Sequence, residues 1–249
     1  MDLKEFFRQH PKAAIAFSGG VDSSYLLYAA LQCGADVRAY YVKGAFQPQF
    51  ELDDAQRLAR DIHAPMTVLR ADVLRDETVT ANPANRCYYC KKVVFSSIAQ
   101  AALADGYTLL LDGTNASDDA GDRPGMRALQ ELQVLSPLRL CGLTKPEIRR
   151  LSKEARLFTW DKPAYACLAT RIPTGMEITK ENLARTEWAE TRLAALGFRD
   201  FRVRTTREEQ AKLQLREEDF PRMLQNREAI AGELKQRYRG VLLALEARK

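Results

Sequence analysis

Histidine is nearly absent: the 249 residues contain only His10 and His63. His10 stands before Pro11 and His63 closes a helical stretch, so both read as structural, and histidine acid–base work is not what this chain offers. Long apolar runs are missing too. None approaches the roughly 20 residues that span a bilayer. The opening Met1-Asp2-Leu3-Lys4-Glu5 lacks the basic-then-apolar form of a signal peptide, which leads to the expectation of a cytoplasmic protein with no membrane partner. Charge of one sign is also in short supply. Lysine and arginine number 38 against 33 acids, a net +5 spread along the chain that suits an anionic substrate without demanding nucleic acid. The five cysteines are an odd number, and in a cytosolic setting they point to metal or redox chemistry rather than a disulfide framework.

What is present is an alternation of strand and helix signals. Ala13–Phe17 is a short apolar run of buried-strand type, followed by a helix from Val21 to Cys33 that stops at Gly34. Strands at 37–42, 66–69 and 108–111 alternate with helices at 50–62 and 88–104. Such alternation predicts an α/β fold, a doubly wound parallel sheet with right-handed crossovers and ligands at the carboxyl ends of its strands. The polar segment 118–125 reads as a loop. Thr144 and Glu147 form a capping box opening a helix to Glu154. Residues 160–175 have no clean period. Beyond them the pattern changes to helix 178–196, strands 201–204 and 211–215, helix 219–238 and strand 241–245, a smaller α+β domain. The expected division is 1–175 and 176–249.

Between the first strand and its helix stands Ser18-Gly19-Gly20-Val21-Asp22-Ser23-Ser24. The glycines permit a tight turn and close backbone approach, the helix start offers unpaired N–H groups, and Ser18, Ser23 and Ser24 add hydroxyls. Asp22 can help hold a magnesium ion against phosphate charge. The spacing is not that of a Walker A loop. A plain Ser/Gly turn is the alternative, and seven residues in the right setting outweigh it. The heptapeptide resembles that of the ATP-pyrophosphatase (PP-loop) superfamily, whose members adenylate an oxygen, release pyrophosphate and let a nucleophile displace AMP. Gly113-Thr114-Asn115, ending the fourth strand, is similar to that superfamily's second nucleotide-facing loop; locally it is equally a strand-to-helix turn.

The cysteines bear on the nucleophile. In Asn85-Arg86-Cys87-Tyr88-Tyr89-Cys90-Lys91 two thiols share a face at a helix start, where the dipole and nearby cations favour thiolates. Cys167 lies in Lys162-Pro163-Ala164-Tyr165-Ala166-Cys167-Leu168-Ala169-Thr170-Arg171-Ile172-Pro173. Cys33 and Cys141 read as buried small hydrophobes. Together with Gly113–Gly125, which includes Arg123, and with Leu143–Arg149 and Arg202-Val203-Arg204, these segments resemble the LarE family, the sulfurtransferases that mature a nickel-pincer nucleotide cofactor. The resemblance implies ATP and Mg2+ as cosubstrates and a small-molecule acceptor, pyridinium-3,5-biscarboxylic acid mononucleotide. It also implies the three-cysteine version of the family, with a [4Fe-4S] cluster on Cys87, Cys90 and Cys167 and the sulfide source left open. A zinc site, a persulfide relay and unligated thiols are the alternatives.

Arg202 and Arg204, two apart on a strand, share a face. With Thr170 and Arg171 they are expected to hold the substrate phosphate, and Glu190 matches an acidic position beside it; without the resemblance they read as a solvated basic edge. Ala211-Lys212-Leu213-Gln214 departs from a family pattern ending in Glu. Cys167 and Asp22 are the expected catalytic residues, and a homo-oligomer is expected. A tRNA thiolase, an ammonia-fed amide ligase and a non-enzymatic sensor are the competing classes; no RNA-binding module or dense basic run supports the first, and the second leaves the cysteines idle.

Overall fold

A computed structural model of the chain describes residues 1–118 and 124–248. In chain order the elements are α1 (Leu3–Gln9), β1 (Lys12–Ala16), α2 (Val21–Gln32), β2 (Asp36–Lys43), α3 (Gln49–Asp61) and β3 (Met66–Arg70). There follow α4 (Glu77–Thr80), α5 (Arg86–Ala104), β4 (Leu110–Leu111), α6 (Pro124–Glu131), α7 (Pro137–Leu140) and α8 (Lys145–Glu154). The remainder is α9 (Lys180–Ala195), β5 (Arg202–Thr205), β6 (Ala211–Gln214), α10 (Phe220–Gln225), α11 (Arg227–Leu234) and β7 (Val241–Leu243). Two compact units result: residues 1–73 with 85–162, and residues 74–84 with 163–249. The expected boundary after residue 175 falls inside the second unit. No helix among the described residues is long and apolar enough to cross a membrane.

The first unit is an α/β fold around a parallel sheet in the order β3-β2-β1-β4. Strands β1, from Ala13 on, and β4 are apolar without alternation because both their faces are covered. Ala13 and Ile15 join one core with α1, α2, α3, α7 and α8 residues, while Ala14 between them joins the other with Phe95, Ile98 and Ala102 of α5. Tyr40 and Val42 continue the second core, Val37, Ala39 and Tyr41 the first, following the period-two alternation of a strand. β1 and β4 are neighbours, and the chain leaves them toward helices in different cores, α2 and α6. Their carboxyl ends therefore mark the switch point where such sheets bind ligands.

The second unit is a three-stranded mixed sheet, β5-β6-β7, antiparallel then parallel, packed with α9, α10 and α11 around Leu193, Phe198, Val203, Leu213 and Leu234. Several expectations change here and in the first unit. The single helix expected over 219–238 is broken at Asn226, whose side-chain amide donates to the Arg222 carbonyl at 2.8 Å and competes with the helix ladder. The fourth strand is only Leu110–Leu111. In the segment expected as a loop, Pro124 and Gly125 begin α6, while Arg123 lies outside the described residues. Cys33 is exposed, not the buried hydrophobe the sequence suggests, whereas Cys141 is partly buried against the first core; partial desolvation pushes both thiols up.

Candidate functional site

The loop Ser18–Gly20 sits between β1 and α2. Gly19 has φ +73°, and a Cβ there would lie 3.0 Å from the Ala55 Cβ of α3, so left-handed backbone and close approach both require glycine. Gly20 is the N-cap of α2 without a side-chain cap, leaving the first-turn N–H groups to another acceptor. Ser18 Oγ and Ser23 Oγ are 3.0 Å apart, and Ser23 Oγ also reaches the Gly20 carbonyl at 3.3 Å, which shapes the loop. Two buried polar atoms at this helix start have no partner among the described residues: Ser24 Oγ and Asp22 Oδ1. Buried orphans of this kind are costly and mark a place where a ligand completes the bonding. An orphaned carboxylate oxygen beside phosphate-type N–H groups is chemistry that fits Mg2+ and ATP.

The second loop meets the first. A Cβ on Gly113 would stand 2.8 Å from Ser23 N, so glycine lets the end of β4 press against the start of α2. Asp112 braces this loop by accepting from Thr114 Oγ1 at 2.5 Å and Ser136 Oγ at 2.6 Å. Thr114 and Asn115 are buried; Asn115 Oδ1 accepts from Ser117 N at 2.8 Å, and Ser117 Oγ accepts from Lys145 N at 3.0 Å. The Lys145 ammonium bonds Asp22 Oδ2 at 2.5 Å. Lys145 is a residue for which the sequence reading assigns no role. Its only local signal is its place at the start of α8, where the expected capping box of Thr144 and Glu147 forms. Lys162 is a second such residue, its ammonium meeting the carbonyl of Gly19.

Cys87 and Cys90 occupy the first two turns of α5, Cys87 exposed and Cys90 half-exposed. Their i, i+3 spacing makes them neighbours on one helix face. Arg86 Nη2 lies 3.6 Å from Cys87 Sγ. The helix is tied to α6 by Glu131, which accepts from Tyr88 OH at 2.7 Å and Lys92 at 3.0 Å and is held at about 2 by those bonds. Among the described residues, neither unit by itself gathers three metal-holding side chains.

Cys167 belongs to the second unit, half-exposed, at the N-cap of a 3-10 turn over Leu168–Arg171. The turn's Arg171 is 1% exposed. Its Nε and Nη2 bond the two oxygens of Glu190 at 2.8 and 3.1 Å, and its Nη1 bonds the Ala166 carbonyl and Thr170 Oγ1, each at 2.8 Å. Glu190 further accepts from Tyr165 OH at 2.5 Å and Val203 N at 2.9 Å, so its lone pairs are filled. Burial, then Glu190, pushes the Tyr165 phenol up. Arg171 and Glu190 therefore form a frame around Cys167 and β5.

Arg202 is 4% exposed, not the solvated edge residue that the strand alone suggests. It donates to the carbonyls of Phe201 and Ala164 and lies over the Tyr165 ring. Burial, then Arg171 and Arg248, lowers it to about 10. Arg204 is half-buried and bonds Gln214 Oε1 at 2.6 Å and the Thr170 carbonyl at 2.5 Å. Among the described residues no carboxylate pairs with it, and its side-chain partner Gln214 is neutral. Asp200, 2.7 Å from Arg248 and 3.7 Å from Arg202, is a second acid of the cluster beside Glu190. The cluster carries surplus positive charge, an arrangement suited to an anion.

No protein-family model matches the chain. It is 33% identical over 78% of its length to a protein of Lactiplantibacillus plantarum named pyridinium-3,5-bisthiocarboxylic acid mononucleotide synthase, covering 71% of that protein. It is 36% identical to the uncharacterized protein slr1717 of Synechocystis, over 95% of this chain and 88% of that one. A tRNA-specific 2-thiouridylase of Thermotoga neapolitana is 25% identical over 58% of the chain and 52% of its own. With the loop, the switch-point sheet and the Cys167 block all in place, the chain belongs to the PP-loop family that includes the pyridinium-3,5-bisthiocarboxylic acid mononucleotide synthase.

Proposed function

We propose that this protein is an ATP-dependent sulfurtransferase that acts on pyridinium-3,5-biscarboxylic acid mononucleotide. A substrate carboxylate oxygen attacks the α-phosphate of ATP, pyrophosphate leaves, and sulfur then displaces AMP to give a thiocarboxylate. The observation that carries this reading is the pair of orphaned buried atoms, Asp22 Oδ1 and Ser24 Oγ, at an uncapped helix start. The first turn of α2 and the loop serines would hold the phosphates, Asp22 would hold Mg2+, and Lys145 would stabilise charge developing on pyrophosphate. Lys145 must then leave Asp22 or share it, since both face the same oxygen-rich ligand.

Arg202 and Arg204 grip the acceptor's phosphate, while the Arg171–Glu190 pair holds Thr170 and the Cys167 turn in place. Thiolate donors fit an iron–sulfur group, and Cys87, Cys90 and Cys167 are the residues that would hold a [4Fe-4S] cluster, which when bound supplies a terminal sulfide for transfer. The more distant likeness to tRNA thiouridylases supports a second reading, thiolation of tRNA. Incubating anaerobically prepared protein with ATP, Mg2+, sulfide and the mononucleotide separates the two. AMP, pyrophosphate and a product whose mass shows oxygen replaced by sulfur are expected. ADP would exclude the class, and thiolated tRNA formed in place of the mononucleotide product would favour the second reading.

A further inference from the structure

Lys162 has no part in that chemistry, yet its ammonium is among the most constrained cations of the first unit. It lies 2.8 Å from Asp54 Oδ2, 3.2 Å from Glu51 Oε1 and 3.4 Å from the carbonyl oxygen of Gly19. Only 12% of its side chain is exposed. Its own carbonyl accepts from Arg149 Nη2 at 2.8 Å, and that of Trp160 accepts from Arg149 Nη1 at 2.6 Å. One ammonium thus joins three pieces of chain: the nucleotide loop, the first turns of α3, and the segment that follows α8. Two carboxylates share it on the side of a loop shaped for phosphate, so the ammonium is held in place rather than left to reach a ligand. A positioning task explains the arrangement.

Peptide geometry defines that task. The Gly19 C=O and the Gly20 N–H belong to one planar trans unit and point in opposite directions. A cation fixed on the carbonyl side therefore aims the N–H to the other side, where it donates to Ser18 Oγ over a long 3.4 Å. A Cβ on Gly19 would stand 3.0 Å from the Ala55 Cβ, so α3 closes one side of the loop while the orientation of this peptide remains a freedom. Lys162 removes it. It is also the last residue of the first unit, and the chain passes into the second at Pro163, four residues before Cys167.

We infer that Lys162 is a positioning residue for the nucleotide loop: it locks the Gly19–Gly20 peptide in its phosphate-accepting orientation and transmits the loop's occupancy to the junction segment. The inference rests on the ATP reading. The test uses full-length protein with Trp188→Phe, which leaves Trp160 as the single tryptophan, two residues from Lys162. Mg-ATP is titrated by calorimetry and by Trp160 emission. Lys162→Met is expected to weaken ATP about tenfold, the loss of one charge-assisted hydrogen bond. It should also abolish the emission response and leave the acceptor KM unchanged. Lys162→Arg is expected to restore both. Should Lys162→Met not melt cooperatively, Lys162→Gln takes its place with the same expectations. ATP affinity and emission response equal to the parent, or failure of Lys162→Arg to restore them, overturns the role. A parent that binds ATP without any emission response overturns the transmission to the junction. A parent that does not bind ATP overturns the function proposed above, and this role falls with it.

Discussion

The nucleotide loop and the arginine cluster both present positive charge, but they obtain it in opposite ways. At the loop the charge is backbone: the start of α2 offers N–H groups, and the lysines beside it are already paired with Asp22, Glu51 and Asp54. In the second unit it is side chain: three guanidinium groups tied mainly to carbonyls, with Glu190 shared among one arginine, a tyrosine and a backbone amide. Lysine is a point charge on a flexible stem that can exchange partners, whereas a guanidinium fork bound to carbonyls is fixed. The difference teaches that one site is built to change during a reaction and the other to stay as it is.

Four variants would break or sharpen that comparison. The largest effect is expected from Asp22→Ala, about a thousandfold loss of AMP formation with the fold retained, since it removes charge-positioning at the reacting phosphates. Unchanged turnover would remove the loop from the chemistry. Glu190→Gln strikes the fixed site instead and leaves Arg171 buried without its counter-charge; a loss of about 3 kcal/mol in urea unfolding is expected, against little change for Asp22→Ala. Replacing Arg202 and Arg204 together by Ala should weaken the mononucleotide about a hundredfold by calorimetry and leave ATP affinity alone. Ser24→Ala removes a hydroxyl with no partner among the described residues, so it should leave the melting temperature level while weakening ATP about tenfold.

The smallest effect is in pH. Burial and Arg171 lower Arg202 to about 10, so its cationic form is disfavoured in the folded state and is lost as pH rises through that value. Mononucleotide affinity should therefore be level from neutrality to about pH 9 and fall above about 10, where Arg202 releases its proton. A fall beginning near neutrality would point to another group.

What could be read from the chain was local. The strand, glycine turn and helix around Ser18–Ser24 follow from contiguous residues, as do the i, i+3 thiols of α5 and the capping box of α8. Lys145 and Lys162 could not be found this way, because each looks like any polar-face lysine. Their partners stand 123 and 143 residues away, at Asp22 and Gly19. The pattern put Arg202 and Arg204 on one face, yet gave no sign that the segment 164–170 would lie against both side chains. Residues 160–175 had no period to read because their order comes from side chains: Arg149 holds the carbonyls of Trp160 and Lys162, Arg171 that of Ala166, and Arg204 that of Thr170.

The second unit is assembled from two separate stretches of chain, residues 74–84 and 163–249. The short stretch is tied in by Asn82, whose side chain donates to the Pro173 carbonyl at 2.8 Å and whose own carbonyl accepts from Gly175 N at 2.8 Å, and by the Thr80 carbonyl, which accepts from Ile178 N at 2.8 Å. A ribosome makes residues 74–84 long before their companions, so during synthesis this piece waits unpaired while the parallel sheet around it closes. The unit can mature only after the chain is nearly finished. For the same reason, residues 163–249 produced alone would lack these hydrogen bonds at 173–178, and adding a peptide spanning 74–84 would be the natural complement.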